Sequence, residues 1–125
     1  MNQIYSQNRK LILDYLIQFI GKEIDVFIDR PLGSQHPEHQ DIVYQVNYGY
    51  IKDIIALDGE YQDAYVLGVD KPVESFRGVV IGIIHRMNDN EDKLIVTNRD
   101  NQLTNEQIKK EIYFQEKYFK YQIIR

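Results

Sequence analysis

Three carboxylates, Asp58, Glu60 and Asp63, stand close together around Gly59 and are the most unusual feature of the sequence. In extended backbone Asp58 and Glu60 would point to the same face, because strand side chains alternate, and Asp63 would fold back toward them across the glycine turn. Like charges that converge need a cation, and a hard divalent ion such as Mg²⁺ takes oxygen ligands. The spacing alone still favours a solvated acidic turn over a metal site, since Asp-Gly is a common turn pair.

A second acidic turn, residues 88–93, carries Asp89, Glu91 and Asp92 directly before Lys93. It joins two segments that we expect to be neighbouring strands. On its own this turn is best interpreted as a polar hairpin loop. Neither acidic segment has the spacing of an EF-hand calcium loop.

Tyrosines and histidines are the other side chains that could do chemistry. Tyr44, Tyr48 and Tyr50 lie on one face by alternation, where their hydroxyls could bond phosphate oxygens, although packing is the favoured interpretation of each ring taken singly. His36 and His39 have a spacing that can bind zinc, but no third ligand supports it. An exposed polar loop is the better interpretation of this pair.

The elements that must position these residues are short. Residues 7–20 have the apolar spacing of an amphipathic helix, and a capping-box pattern at Thr104 opens a second helix over roughly 105–120. Five strands are predicted between the helices, at residues 23–29, 43–50 (continuing extended to 57), 63–69, 76–87 and 93–97. This order predicts an α+β fold dominated by β, a small five-stranded OB-like barrel with an N-terminal and a C-terminal helix.

The composition of the 125-residue chain is that of one ordinary globular domain, residues 1–125, with 43% hydrophobic and 27% charged residues. A net charge of −4 argues against binding of nucleic acid by phosphate neutralisation. The absence of cysteine excludes disulfides, thiolate metal sites and cysteine nucleophiles. Without a signal-peptide pattern or a membrane-length apolar run, we expect no membrane partner and a cytoplasmic location.

Taken together, these segments resemble the soluble inorganic pyrophosphatases of the OB-barrel type. Residues 44–51, a six-residue spacer and residues 58–63 are similar to the family's Y-P-x-N-Y-G-[FY]-[IV] and D-G-D-P-[LV]-D. Residues 82–89 resemble its G-[VL]-[LIV]-x-M-x-D with one extra residue, and residues 92–96 its D-x-K-[IL]-[IVL]-[AG]-V with one residue fewer. In residues 26–31, Asp29 stands where the family's first acidic residue is usually Glu.

The resemblance implies Mg²⁺-dependent hydrolysis of pyrophosphate to two phosphates by a metal-activated water. It makes metal ligands of six carboxylate residues: Asp29, Asp58, Glu60, Asp63, Asp89 and Asp92, with Glu91 as the alternative to Asp92. It assigns catalytic roles to Glu60, Tyr48 and Lys93, and substrate binding to Tyr44, Lys93, Lys117 and Tyr118. Because the resembled bacterial enzymes form hexamers, a homo-oligomer is also expected.

The chain departs from the family pattern in its basic residues. The segment between Asp29 and Tyr44 is short and lacks the lysine and arginine that the family uses there to bind phosphate. Four basic residues remain as replacements: Arg30, Arg77, Arg86 and His39. These departures keep two alternatives open, a hydrolase of another phosphoanhydride such as a nucleotide, and a non-catalytic metal-binding barrel.

Overall fold

The computed structural model describes residues 3–125, with side chains from residue 9 onward. Along this part of the chain the elements are α1 (Gln3–Ile17), β1 (Glu23–Arg30), β2 (Asn47–Ile55), β3 (Tyr61–Val66), β4 (Ser75–Arg86), β5 (Asp92–Thr97), α2 (Asn105–Glu116) and β6 (Tyr121–Ile124). Neither helix has the length and apolar character needed to cross a bilayer.

The first five strands close into a barrel. Neighbouring strands follow the order β1-β2-β3-β5-β4, and β4 pairs back with β1. The β3–β5 pair is parallel, and the other pairs of the barrel are antiparallel. The predicted five-stranded OB-like barrel with a helix near each end of the chain is therefore confirmed.

The structure adds a sixth strand that the sequence pattern did not predict. The second helix ends at Glu116, not near residue 120, and β6 pairs with residues 83–86 of β4. The β4 strand is twelve residues long, and β1 covers only its first half on this edge. The uncovered half offers free backbone groups, and pairing with them stabilises residues 121–124 as a strand.

Two smaller boundaries also differ. Helix α1 spans Gln3–Ile17, so it begins and ends before the predicted 7–20. Strand β2 begins only at Asn47. Residues 43–46 belong to the loop before it, in which Val43 forms an isolated antiparallel bridge with Gln35. Tyr44 therefore lies outside the strand that carries Tyr48 and Tyr50.

Alternation along the strands separates two apolar cores. The barrel interior is filled by aliphatic side chains and closed by Leu16 of α1; its members include Ile24, Val26, Ile51, Ala64, Val66, Ile83, Leu94 and Val96. The outer face of the same strands packs against Ile108 and Ile112 of α2 and includes Tyr48, Tyr65, Ile84 and Ile95. Full burial of one such aliphatic side chain contributes about 1.5–3 kcal/mol. Helix α2 is thus fixed on the barrel face that bears Tyr48.

Strands β1 and β2 approach each other closely at Gly49. A Cβ atom at this position would overlap the backbone carbonyl oxygen of Phe27. Glycine therefore allows the register that places Arg30 of β1 opposite Tyr48 of β2.

Candidate active site

The acidic turn between β2 and β3 borders a cavity of about 390 Å³, which we call the acidic cavity. No lysine, arginine or histidine lines it within residues 3–125. Its charged lining consists of carboxylates alone: Asp29, Asp58, Glu60, Asp63, Glu91 and Asp92. Five of these were predicted metal ligands, and Glu91 was the alternative to Asp92.

The turn itself has a defined geometry. Gly59 has a φ of 87°, the N–H of Ala56 donates to the Glu60 carbonyl over 2.7 Å, and Asp58 Oδ1 accepts the N–H of Glu60 over 3.0 Å. Asp58 and Glu60 thus lie in a tight turn, not in the extended backbone that the alternation argument assumed, because strand β3 begins only at Tyr61. The turn nevertheless brings both carboxylates to the cavity that Asp63 lines.

Magnesium fits this cavity by the chemistry and charge of its donors. Within the described chain, no three carboxylate or imidazole groups converge closely enough to hold a metal ion as they stand. Asp58 and Glu60 are exposed on the turn, so an ion that enters from solvent can reach their carboxylates. Carboxylate oxygens are among the ligands that Mg²⁺ prefers. The magnesium site therefore stays a prediction.

A second cavity of about 490 Å³ shares Asp29, Asp63 and Glu91 with the first. We call it the mixed cavity, because basic and acidic side chains both line it. The basic side chains are Arg30, His36, His39, Arg86 and Lys93, and the acidic ones are Asp29, Glu38, Asp41, Asp63, Asp89 and Glu91. Tyr48 and Tyr118 complete the predicted residues along its wall.

Lys93 is one of two buried cations of the mixed cavity, together with Arg86. Its side chain is 3% exposed, and Nζ donates to Asp63 Oδ2 over 2.7 Å and to the Tyr48 hydroxyl over 2.8 Å. Glu91 Oε2 lies 3.4 Å from the same nitrogen. Burial, followed by the charge of Asp63, raises the pKa of Tyr48 well above its usual range. Tyr48 is therefore a neutral phenol that can donate its proton to an acceptor in the cavity.

Asp29 lies at the wall that separates the two cavities. Partial burial raises the pKa of this carboxyl, the nearby Asp63 charge raises it further, and Arg30 opposes both effects. Asp29 and Asp63 are thus two carboxylates whose charges repel each other across the shared wall. A cation placed between them would remove that repulsion.

Asp92 and Lys93 point to opposite sides of β5, because neighbouring strand side chains alternate. The Asp92 carboxylate is 2% exposed, accepts from Arg9 Nη2 over 3.1 Å and lies 2.7 Å from His85 Nδ1. Asp92 is thus engaged by α1 and β4, and within the second acidic turn Glu91 is the residue that faces Lys93. The partner Arg9 had no signal in the sequence, because its contact depends on where α1 docks.

Arg86 is a buried structural cation. Its Nε and Nη2 form two parallel bonds to Glu116, of 2.9 and 2.7 Å. Its Nη1 donates to Glu91 over 3.1 Å and to Asp89 over 3.4 Å, and the guanidinium lies over the Phe119 ring. Asp89 is therefore paired with an arginine on the mixed cavity, away from the acidic turn that contains Asp58.

The predicted substrate-binding residues separate into two groups. Lys93 and Tyr118 line the mixed cavity. Tyr44 is fully buried, and its hydroxyl accepts from Arg30 Nη1 over 2.7 Å and donates to Gln115 Oε1 over 2.9 Å. Lys117 is exposed, and its ammonium lies 5.2 Å from the centre of the Tyr118 ring. Tyr44 and Lys117 reach the cavity only through these neighbours.

Comparison with known proteins identifies the fold of this chain. No protein-family model matches the chain, and no curated protein sequence matches it significantly. Among solved structures, an inorganic pyrophosphatase from Neisseria gonorrhoeae is 22% identical with a TM-score of 0.58, over 78% of this chain and 74% of that one. The inorganic pyrophosphatase from Ehrlichia chaffeensis is 19% identical with a TM-score of 0.63, over 82% and 85% of the two chains.

A third solved structure, the inorganic pyrophosphatase from Helicobacter pylori, is 18% identical with a TM-score of 0.58, over 82% of this chain and 84% of that one. At identities this low, the likeness concerns the fold alone. The chain has the fold of bacterial inorganic pyrophosphatases.

Proposed function

We propose that this chain, which has the fold of bacterial inorganic pyrophosphatases, is a Mg²⁺-dependent inorganic diphosphatase that splits pyrophosphate into two phosphates. The observation that carries the proposal is that the acidic and mixed cavities meet at Asp29, Asp63 and Glu91. Carboxylates are the only charged side chains of the first cavity, and the second offers Lys93 and Tyr48. A phosphoanhydride that enters with cations needs both kinds of surface, oxygen ligands for the cations and donors for the phosphates.

The acidic turn would hold the metal. Asp58, Glu60 and Asp63 are its proposed ligands, with Asp29 at the shared wall and Glu91 or Asp92 of the second acidic turn completing the set. Asp89 is left out of this set, because it is paired with Arg86 and does not line the acidic cavity. Magnesium bound there would lower the pKa of a coordinated water and neutralise charge on the leaving phosphate.

The chain's own side chains then position the reaction. Glu60 would accept a proton from the attacking water, whose oxygen bonds to one phosphorus as the bridging P–O bond breaks. Lys93 Nζ and the Tyr48 hydroxyl would donate to phosphate oxygens, where negative charge grows in the transition state. Tyr118, half exposed at the edge of the mixed cavity, would contact the substrate from the solvent side.

An assembly of several copies in the cytoplasm belongs to the same proposal. Its support is the resemblance to hexameric bacterial enzymes, together with large apolar side chains that this chain leaves exposed, such as Leu11, Ile55 and Met87. Sedimentation of the purified protein would measure the assembly directly.

The test is phosphate release from pyrophosphate by the purified chain with Mg²⁺. We expect release by the wild type, a loss of about 100-fold or more in Asp63→Asn, and no loss in Asp100→Asn, an exposed aspartate outside both cavities. Absence of release with any divalent cation would contradict the proposal.

The same assay separates the two alternatives. A panel that contains pyrophosphate and nucleoside triphosphates would favour another phosphoanhydride if the nucleotides are cleaved faster. If the chain is a non-catalytic barrel, any background release of phosphate should be equal for wild type and Asp63→Asn.

A further inference from the structure

The mixed cavity contains basic side chains that differ in whether their charge is already matched. Arg86 is bound by Glu116, Glu91 and Asp89, as described above. Lys93 is bound by Asp63. A substrate phosphate would have to compete with the chain's own carboxylates for either of these two cations.

Arg77 lies elsewhere on the barrel. It lines neither cavity, and its guanidinium pairs with Asp25 over 3.0 Å and with Glu23 over 3.6 Å. Its side chain is 59% exposed. Arg77 therefore cannot replace a phosphate-binding residue, but it makes a matched control for one.

Arg30 is different in position and in partners. It stands at the end of β1, lines the mixed cavity, and donates Nη1 to a neutral acceptor, the Tyr44 hydroxyl, over 2.7 Å. No carboxylate of residues 9–125 lies at ion-pair distance from it. Its remaining N–H groups are thus available to an anion.

A buried hydrogen-bond chain fixes this guanidinium from behind. Tyr44 donates to Gln115 Oε1 over 2.9 Å, and Gln115 Nε2 donates to the Tyr65 hydroxyl over 2.7 Å. Tyr65 donates in turn to Glu116 Oε2 over 2.6 Å. Because Gln115 and Glu116 end helix α2, the helix holds Arg30 in place through Tyr44, which lowers the entropy cost of binding an anion there.

The surroundings of Arg30 also indicate that its charge acts on the cavity. The Cζ atom of Arg30 lies 5.9 Å from the centre of the Tyr48 ring, and Lys93 Nζ lies 5.5 Å from the same centre. Burial lowers the pKa of His36, and the positive charge of Arg30 lowers it further. Arg30 and Lys93 therefore flank one tyrosine on the wall of the mixed cavity.

We propose that Arg30 is the guanidinium that binds substrate phosphate in this chain, replacing the basic residues missing between Asp29 and Tyr44, and that Tyr44 is its positioning residue. This inference rests on the proposed function for the identity of the ligand, a phosphate or diphosphate group. A guanidinium suits it, because its planar fork gives two parallel bonds to phosphate oxygens.

The test measures affinity independently of turnover. Imidodiphosphate, an analogue of pyrophosphate with a nitrogen bridge, is titrated with Mg²⁺ into wild type, Arg30→Gln, Arg30→Lys and the control Arg77→Gln in a calorimeter. We expect Arg30→Gln to raise Kd by about 10- to 100-fold, the range for one lost charged hydrogen-bond partner. The Kd of Arg30→Lys should lie between those of the wild type and Arg30→Gln, and the Kd of Arg77→Gln should equal that of the wild type.

A second pair of variants tests positioning. Tyr44→Phe and Tyr65→Phe each remove one hydroxyl from the same buried chain, but only Tyr44 contacts Arg30. Both should melt at a lower temperature, and only Tyr44→Phe should also raise Kd for imidodiphosphate. Melting curves for every variant exclude loss of folding as the cause.

The outcomes separate the two proposals. Wild-type affinity in Arg30→Gln, an equal loss in Arg77→Gln, or a wild type that does not bind imidodiphosphate would each overturn the role of Arg30. Tight binding by the wild type without phosphate release would overturn the proposed hydrolysis alone, and the affinities of the variants would still decide the role of Arg30.

Discussion

Lys93 connects the two halves of the candidate site, since its ammonium contacts Asp63 of the acidic cavity and Tyr48 of the mixed cavity. We expect Lys93→Met to lower phosphate release by about 100-fold or more, because no other ammonium can then donate at the centre of the site. The measurement is steady-state release, with circular dichroism to verify folding. Lys110→Met, on the exposed face of α2, is the control, and wild-type turnover in Lys93→Met would contradict the role.

A partly buried glutamate outside the site, Glu111, gives a pH-dependent prediction. Burial raises the pKa of Glu111, against a bond from the Gly68 backbone, and its Oε2 has no hydrogen-bond partner in the described structure. The folded state therefore favours protonated Glu111. Its stabilising contribution is fully present below the ordinary pKa of 4.5 and is lost as the pH rises through the higher folded value.

Replacement of Glu111 by a neutral residue should therefore stabilise the protein at neutral pH and have less effect at acidic pH. Glu111→Gln should raise the free energy of unfolding by about 0.5–1 kcal/mol at pH 7, and the gain should shrink as the pH approaches 4. Urea unfolding at several pH values measures it, with the exposed Glu106→Gln as control. A gain that grows on acidification would contradict the argument.

At the residue scale, sequence reasoning located the acidic turn, Tyr48 and Lys93 because these residues lie in continuous motifs. It did not separate Glu91 from Asp92, since that choice depends on the strand face on which β5 begins. Nor did it find Gln115 and Glu116, whose contacts with Tyr44, Tyr65 and Arg86 exist only once α2 has docked. Polar residues on the buried face of a helix give no local signal of their partners.

Among the elements, the contact between β1 and β2 at Gly49 gives the sharpest prediction. Gly49→Ala should lower the free energy of unfolding by about 2–3 kcal/mol, because the new methyl group meets a backbone carbonyl that cannot move independently. Gly21→Ala is the comparison. It lies in open space with a φ of 91°, so only backbone strain of about 1 kcal/mol is expected. Equal losses by urea unfolding would contradict the close approach.

The helix boundaries show why some elements can be predicted and others cannot. The start of α2 is encoded locally, and Thr104 and Gln107 form the predicted capping box. The end of α2 is not encoded in this way, because the mixture of apolar and polar residues in 117–124 is compatible with either a helix or a strand. The free edge of β4, which is a tertiary feature, decides that residues 121–124 become a strand.

For the whole molecule, the charge distribution predicts a response to divalent cations. The acidic cavity gathers six carboxylates in a chain of net charge −4. Mg²⁺ that binds the folded state alone should stabilise it by about 2.7 kcal/mol at ~100 times Kd, which is a rise of several degrees in Tm. Thermal melts with MgCl₂, compared with NaCl at equal ionic strength, measure this stabilisation.

The variants that test the site of this effect are Asp58→Asn and Glu60→Gln together. They should raise Tm in the absence of Mg²⁺, because repulsion is removed, and should abolish most of the Mg²⁺-dependent increase. An unchanged Mg²⁺ response in the double variant would move the metal site away from the acidic turn.

The overall architecture was accessible from the sequence because the barrel depends on patterns repeated along the chain. Alternation and glycine spacing predicted five strands between two helices, and closure of the barrel followed from their number and length. The division into two cores was not predicted. It depends on α2 covering one outer face, which makes tyrosines such as Tyr65 part of a core and not of the surface.

The sharing of one β4 edge between β1 and β6 has a consequence for solubility. Without β6, the backbone groups of residues 83–86 would be left as an exposed strand edge that a second molecule could extend by pairing. The last strand of the chain thus protects the barrel against edge-to-edge aggregation, and mutations that weaken Ile123 or Ile124 should favour fibrillar or amorphous association long before they unfold the barrel.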